Sequence, residues 1–552
     1  MEPTEQQTEI INHDGNSVII AAPGSGKTFV ISEKIKLIFE SLEGYQGVVA
    51  ISYTNKASNE LQSRCLVKGI DPKSSFFGTI DRFFIGEIII PFGKQIFGIP
   101  SRQIEIIKTD RLPQAEQDNL DWLHRNLKYI DIGQNEIEEL AKYFRNGLIL
   151  MEAIGLLSNF VFHNSLACRK YLSSRYKYIF IDEYQDSGSN QHEIFLAINA
   201  LGIVGIAVGD LNQSIYAFSG KSSIHLDNLA GNEAFTVFKL DKNHRCHTSI
   251  INYSNYLLDP GTKMLPTDSE QVYFKRIDGS EVEISRFIDS KIAGIKKHFG
   301  IINNSEVAIL VRGNRTLEII DASLQTPHKI FITTDLDTSL NVWSSIFSKL
   351  LHFSYDVNYR FMQVIEEFKL IEKLRRAELV SLLKLKNEIR QLFQCNPIDK
   401  NAVIERFVSV AKIIAPVSEN ETSVELLDQV LSTPNLLATY NPALNNELSI
   451  MTIHKSKGLE FEFVFHLDLY EWVLPQKGPG PDNDWDHPVY DDWAQDINLH
   501  YVAISRAKKA CMLVSSTQRT RRDGKVVSAN DSEFLAFNNI QNLWYKQPKG
   551  KP

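Results

Sequence analysis

Near the amino terminus, Ala21-Ala22-Pro23-Gly24-Ser25-Gly26-Lys27-Thr28 has the residue types and order that grip a triphosphate. Gly24 and Gly26, with Ala22 and Ser25 beside them, let backbone N–H groups close around phosphate oxygens. Lys27 can reach the β and γ phosphates, and the Thr28 hydroxyl can sit on Mg²⁺. Ala21 stands where the simplest form of such a loop has Gly, a minor departure for a residue that only has to leave a strand. A second acidic run, Ile181-Asp182-Glu183-Tyr184-Gln185-Asp186, follows an apolar segment. Alone it reads as a solvated strand end. Beside a phosphate loop, at the carboxyl edge of a parallel sheet, Asp182 is placed to hold the Mg²⁺ shell and Glu183 to orient and deprotonate a water.

Elements that position these residues follow from the hydrophobic pattern. Ser17 to Ala21 reads as a strand, Lys27 to Glu40 as a helix, Val48 to Tyr53 as a buried strand and Asn55 to Val67 as a helix. Such alternation means an α/β fold with a parallel sheet covered by helices. It resumes at Tyr178 to Ile181, Ile203 to Val208 and Phe235 to Leu240, after a mostly helical stretch. A second α/β pattern has strand candidates at Val282-Glu283-Ile284 and Glu306 to Val311, then at Leu448 to Thr452 and Val464 to Leu467, around another helical region typified by Leu370 to Leu392. The expected layout is two parallel-sheet domains, each interrupted by a helical insertion: 1–91 and 177–245 around 92–176, then 246–342 and 446–552 around a short insertion at 343–445. Pro475 to Pro488 reads as a surface loop whose neighbouring tryptophans dock on a core, or as a partner or nucleic-acid contact. Arg519 to Lys525 reads as a basic hairpin turn, solvated or in contact with phosphates or an acidic partner.

Composition narrows the class without deciding it. The 552 residues suggest roughly three to four folding units at about 150 residues each. Five scattered cysteines without C-x-x-C spacing suggest neither a zinc site nor a disulfide framework. The amino terminus lacks signal-peptide features and no apolar run is long enough to span a bilayer, so a cytoplasmic protein with no membrane partner is expected. A net charge of -8 argues against nonspecific coating of nucleic acid, though not against a local groove for one strand.

The run Asp182-Glu183-x-Gln185-Asp186 resembles the second motif of superfamily 1 helicases of the UvrD/Rep type, and the family's other motifs appear in order. Thr4-Glu5-Gln6-Gln7 resembles its adenine-reading segment, with Gln7 on the base edge. Tyr53-Thr54-Asn55 and Gly78-Thr79-Ile80-Asp81 resemble its first two DNA-contact motifs; Asp81 replaces the family's His and, when ionised, repels phosphate and cannot donate. Val208 to Phe218 resembles the third motif, which implies that Gln213 senses the γ phosphate and that Tyr216 and Phe218 stack on bases. Phe218 stands for Trp, and Ser219 for Arg. Asn243-His244-Arg245 resembles the fourth, with Arg245 on the γ phosphate and His244 in place of an adenine-stacking Tyr. Met451 to Phe461 resembles the fifth, with Thr452 and His454 on the DNA backbone and Gly458 and Glu460 facing the nucleotide. Tyr501 to Ala507 resembles the sixth, with Arg506 as a second arginine finger and Asn498 near the place of a missing upstream basic residue.

What the resemblance implies is two RecA-like domains in the 1A, 1B, 2A, 2B layout with a reduced 2B, ATP and Mg²⁺ as cofactors, and movement along single-stranded or partly duplex DNA from 3′ to 5′. The compact layout is most similar to the helicase subunit of Gabija anti-phage systems, a family that works with an OLD-type nuclease bearing a Toprim domain. Two other readings stay open: a sensor subunit that reports ATP and DNA to such a nuclease with little unwinding of its own, and a general repair helicase. A small-molecule kinase would leave Gln213 and the two arginines unexplained.

Overall fold

The computed structural model describes residues 3–545 apart from 53–54, 67–69, 126, 216–222, 357–358, 367, 369–373, 396, 481–482 and 522. Apolar runs in its first half alternate which face they present. Val18, Val49 and Ile51 join one core, whereas Ile19, Val48 and Ala50 join another, so both faces of one sheet are covered. The strands are β1 (Ser17–Ala21), β2 (Gly47–Ile51) and β3 (Phe76–Gly78), then, after an insertion holding the short parallel pair β4 (Glu105–Ile107) and β5 (Leu148–Leu150), β6 (Tyr176–Ile181), β7 (Val204–Gly209) and β8 (Thr236–Leu240). Their order is β3-β2-β6-β7-β1-β8, every neighbour parallel. Helices of the insertion, among them Gln134–Arg145 and Ile154–Asn164, pack on the Val18 face.

The second sheet repeats the scheme. It comprises β9 (Val272–Ile277), β10 (Val307–Val311), β11 (His328–Phe331), β12 (Leu448–Thr452), β13 (Phe461–His466) and, beyond the antiparallel hairpin of β14 (Lys477–Gly480) and β15 (Asp484–Tyr490), β16 (Ala507–Ser516). The order is β11-β12-β10-β13-β16-β9, again with every neighbour parallel. Ala308 and Leu310 face one core and Val307, Ile309 and Val311 the other. The chain between β11 and β12 forms helices around a core of its own that contains Trp343, Phe347 and Phe407. Asn341, at its root, pairs with β4 as a strand would: its Oδ1 accepts from Ile106 N and its Nδ2 donates to Ile106 O, both at 2.9 Å. Thr422 donates to Glu105 beside it at 2.5 Å, so the two insertions are fastened together.

Two expectations are corrected. Val282-Glu283-Ile284 is the first turn of the helix Glu281–Phe299, not a strand. Ser280 Oγ accepts from Val282 N, and the Glu283 carboxylate accepts from Ser280 N at 2.8 Å; this capping box satisfies helix donors that a strand would send to a neighbour. The Pro475 to Pro488 stretch is not merely a loop, because it contains β14 and β15. Of its tryptophans, Trp493 docks on the second core against Phe534 and Phe537, with ring centroids at 4.9 and 5.3 Å. The basic turn at Arg519 to Lys525 does form a hairpin, β17 (Gln518–Thr520) with β18 (Val526–Ser528), Gly524 supplying a φ of +83°. Cysteines 65, 168, 246, 395 and 511 are free thiols, and no helix among the described residues is long and apolar enough to cross a membrane. Replacing Ser280 by Ala should lower stability by about 1 kcal/mol, read as a lower urea midpoint of the transition reported by second-domain tryptophan fluorescence.

Candidate active site

In the first sheet β6, β7 and β1 are neighbours, so the loops that leave their carboxyl ends meet. β1 leads into the phosphate loop, β6 into Asp182-Glu183 and β7 into Asp210. The loop itself is tightly enclosed. Gly24 and Gly26 have φ of +70° and +87°, and a Cβ on Gly24 would lie 2.5 Å from Arg245 Cβ, while one on Gly26 would lie 2.8 Å from Gln7 Nε2. Gln7 is buried, donates to the Ser25 carbonyl at 3.1 Å and closes a capping box with Thr4. Ala22 N donates to Leu240 O at 3.0 Å and His244 N to Gly24 O at 2.9 Å, which seats the loop between β8 and the Asn243-His244-Arg245 turn. Lys27 and Thr28 open the helix Lys27–Ser41, directing its amino end at the loop.

Asp182, Glu183, Asp186 and Asp210 bring four carboxylates together there with little solvent. Lys27 Nζ stands 3.4 Å from Glu183 Oε1. Burial alone would lower the Lys27 pKa, but Glu183, Asp210 and Asp182 outweigh it and hold it above its usual value. Burial, and then the Glu183 charge, push Asp182 up to about 7. Burial would raise Glu183 too, yet Lys27, Lys457 and the Gln185 hydrogen bond draw it down to about 2. A hydroxyl and a carboxylate, Thr28 and Asp182, are hard oxygen donors, and a carboxyl so penalised by its neighbour gains from a cation; the pair suits Mg²⁺ bound to phosphate. Glu183 occupies the left-handed region, φ +56° and ψ +41°, an uncommon conformation for a side chain of its kind. It is over-determined: Glu183 N donates to Asp182 Oδ1 at 2.9 Å, its carbonyl accepts from Asp186 N at 2.9 Å, and Gln185 Nε2 holds its Oε2 at 2.5 Å.

Gln185 also ties this turn to the next strand end, accepting from Asp210 N at 3.1 Å. Gly209 leaves the space for it, since a Cβ there would lie 2.4 Å from Gln185 Oε1. Asp210 in turn accepts from Gln213 Nε2 at 2.9 Å, fixing the buried Gln213 side chain.

From the second domain, Arg506 reaches Gln213 Oε1 with Nη2 at 3.4 Å while Val502 O, Leu459 O and Ser505 Oγ take its other donors at 3.1 to 3.2 Å. Burial, and then the nearby Arg245, lower its pKa to about 10. Arg245 pairs with Glu460 at 2.7 Å, and Lys508 takes the other Glu460 oxygen at 2.7 Å. Glu460 follows Gly458, whose φ is +81°. Lys457 and Asn498 also cross to the first domain, donating to the main-chain carbonyls of Gln213 and Ser214 at 2.7 and 3.0 Å.

The residues read as strand contacts divide. Thr79, after β3, has a buried hydroxyl with no partner among the described residues. Thr452 ends β12 and caps the helix Ile453–Ser456, accepting from Lys455 N at 3.4 Å. His454, on that helix, is held neutral by burial and by Arg312, its pKa lowered to about 4. Tyr53, Thr54, Tyr216 and Phe218 lie outside the described residues; Asn55 opens the helix Asn55–Cys65, its side chain outside the description. Asp210, Gln185, Lys457 and Asn498 were given no role by sequence reasoning. Asp210, Gln185 and Lys457 all lie inside the quoted runs, but the partners of Lys457 are 244 and 271 residues away and no local pattern points to them.

Two family models match the chain: an AAA domain over residues 6–219 and the UvrD-like helicase C-terminal domain over residues 349–518. Among known proteins it is 27% identical to the Gabija protein GajB of Bacillus cereus (strain VD045), over 93% of this chain and 95% of that one. It is 23% identical to the ATP-dependent DNA helicase Rep of Escherichia coli K12, over 97% and 93% of the two chains, and 22% identical to a probable DNA helicase II homolog of Mycoplasma pneumoniae, over 98% and 86%. The chain belongs to the UvrD-like DNA helicases and is an ATP-dependent enzyme of that family.

Gly26→Ala should weaken nucleotide binding at least about tenfold, because a φ of +87° disfavours any side chain and the new Cβ displaces Gln7. Fluorescent ATP-analogue titration, with circular dichroism unchanged, measures it.

Proposed function

We propose that this UvrD-like helicase is a DNA-stimulated ATPase that translocates 3′ to 5′ on single-stranded DNA and acts in anti-phage defence beside an OLD-type nuclease. The observation that carries the ATPase part is the convergence of Lys27, Asp182, Glu183 and Gln213 from one domain with Arg506 from the other. In this reading the phosphate loop and Lys27 bind the triphosphate, Gln7 and His244 take the adenine side, and Gly458 and Glu460 face the nucleotide. Thr28 and Asp182 hold Mg²⁺, which when bound neutralises phosphate charge. Glu183 orients the attacking water and accepts its proton; Gln213 senses the γ phosphate. Arg245 and Arg506 stabilise the charge that develops as the phosphoryl group transfers, and an arginine in that role supplies about 10³ to 10⁵ in rate.

Movement follows because the nucleotide would bridge the two domains. ATP draws Arg506 and the first domain together, hydrolysis removes the bridge, and Tyr53, Thr54, Asn55, Thr79, Tyr216, Phe218, Thr452 and His454 alternate their hold on the strand. Similarity to the Gabija protein GajB along 93% of the chain supports the defence role. A second reading, a sensor subunit with little unwinding of its own, is favoured by the fastening of the two insertions through Asn341 and Thr422.

Lys27→Ala, which removes the ammonium group on the triphosphate, and Glu183→Ala, which removes the positioned base, should each lower Mg²⁺-dependent, single-strand-stimulated hydrolysis by about 10² or more, and EDTA should abolish it. Unchanged hydrolysis in both variants would overturn the assigned site. A strand-displacement assay on 3′-tailed and 5′-tailed duplexes separates translocase from sensor, and co-purification with a Toprim nuclease tests the partner.

A further inference from the structure

Lys34 is a charged side chain only 3% exposed, and its ammonium group meets three main-chain carbonyls. It donates to Ile10 O at 3.1 Å, to Ile11 O at 3.2 Å and to His13 O. These carbonyls belong to the last turn and the cap of the helix Glu5–Asn12, which has no basic residue of its own in that turn. From another element Lys34 thus supplies both the donors and the positive charge that a helix carboxyl end lacks. A helix of eight residues is too short to stand alone in water, so what grips its end also sets where it lies.

Both ends of this grip bear on the nucleotide. Lys34 lies in the helix Lys27–Ser41, two turns after Lys27 and on the same face, roughly 10 Å further along the axis. One rigid helix therefore carries the lysine read as the triphosphate ligand and the lysine that clamps the helix of Gln7. One turn before the clamped carbonyls, the Gln7 amide is fixed in orientation: Oε1 accepts from Thr4 N at 3.0 Å and Nε2 donates to Ser25 O at 3.1 Å. Each atom keeps one free position, an acceptor on Oε1 and a donor on Nε2. That pair matches the 6-amino group and N7 of adenine, whereas guanine would set its O6 acceptor against Oε1. Burial works against the Lys34 charge, lowering its pKa although Asp14 raises it, and an aliphatic side chain would fill the same core without that cost.

We propose that Lys34 is a positioning residue for the choice of base: by clamping the carboxyl end of the helix Glu5–Asn12 to the helix that starts at Lys27, it holds the Gln7 amide at a set distance from the triphosphate, so that adenine is accepted and guanine refused. This rests on the ATPase reading above and on Gln7 as its base reader. The role is orientation, with no bond made or broken at Lys34.

The test is hydrolysis of ATP and of GTP by the full-length chain and its Lys34→Met and Lys34→Arg variants at saturating single-stranded DNA. Lys34→Met should raise the KM for ATP about tenfold, the worth of about one hydrogen bond, with kcat and the KM for GTP within about twofold of the wild type. The preference for ATP over GTP in kcat/KM then falls about tenfold, and Lys34→Arg should restore most of it. An equal loss for the two nucleotides would make Lys34 a strut of the fold and overturn the proposal, as would an unchanged preference. If Lys34→Met melts below the assay temperature, Lys34→Gln, which keeps an amide donor for the same carbonyls, carries the comparison; a partial loss of preference is expected and an unchanged one overturns the proposal. A wild-type chain that hydrolyses neither nucleotide defeats the ATPase reading, and one that does not prefer ATP defeats Gln7 as base reader and this proposal with it. A selective wild type beside an equally selective Lys34→Met defeats only the assignment of Lys34.

Discussion

Four carboxylates clustered at and just beyond the ends of adjacent strands are the constraint from which the rest of this molecule follows. Asp182, Asp186 and Asp210 are buried and Glu183 is partly so, and they cannot all be ionised unless cations come to them. The first domain supplies Lys27 from its own loop. The second supplies Lys457, with Arg506 one hydrogen bond further out through Gln213. The two sheets are thus held together by charge compensation at the point where a triphosphate and a divalent cation would change the balance. A ligand adding four negative charges or two positive ones there would change the charge balance that Lys27, Lys457 and Arg506 now satisfy.

The left-handed backbone at Glu183 belongs to the same economy of space. A φ of +56° turns the chain sharply enough for Asp182 to cap Glu183 N, while Gln185 folds back between Glu183 and Asp210. Gly209 then has to lack a side chain, because Gln185 fills the place where its Cβ would be. The ends of β6 and β7 are joined through a single amide. The Glu183 carboxylate is held from two sides, by Lys27 at Oε1 and by Gln185 at Oε2.

Much of this was legible in the sequence wherever a local rule sufficed. The phosphate loop, β1, β6, β7, β10 and β12 follow from apolar runs of strand length, and the basic hairpin follows from Asp523-Gly524. Val282 to Ile284 misled because an alternating triplet is too short to tell a strand from a helix start; Ser280 and Glu283 held the answer, a capping box that competes with strand pairing. β14 and β15 were hidden by Pro and Gly, whose turn chemistry masked a short antiparallel pair. Lys457, Asn498 and Asn341 escaped for a different reason. Each has its meaning in a partner more than 200 residues distant, and nothing in its neighbours' pattern points there.

The position of β9 in the second sheet bears on how the chain is made. It is an edge strand whose sheet neighbour is β16, from Cys511 opposite Val272 to Ser516 opposite Ile277. A ribosome that has delivered β9 must add some 230 residues more, including an entire helical insertion, before that neighbour exists, and contacts of such sequence separation form slowly. During that interval β9 is an unpaired template for other chains. The insertion, with its self-contained core around Trp343 and Phe407, can fold in the meantime, so synthesis order separates an early-folding helical body from a sheet completed only when β16 emerges.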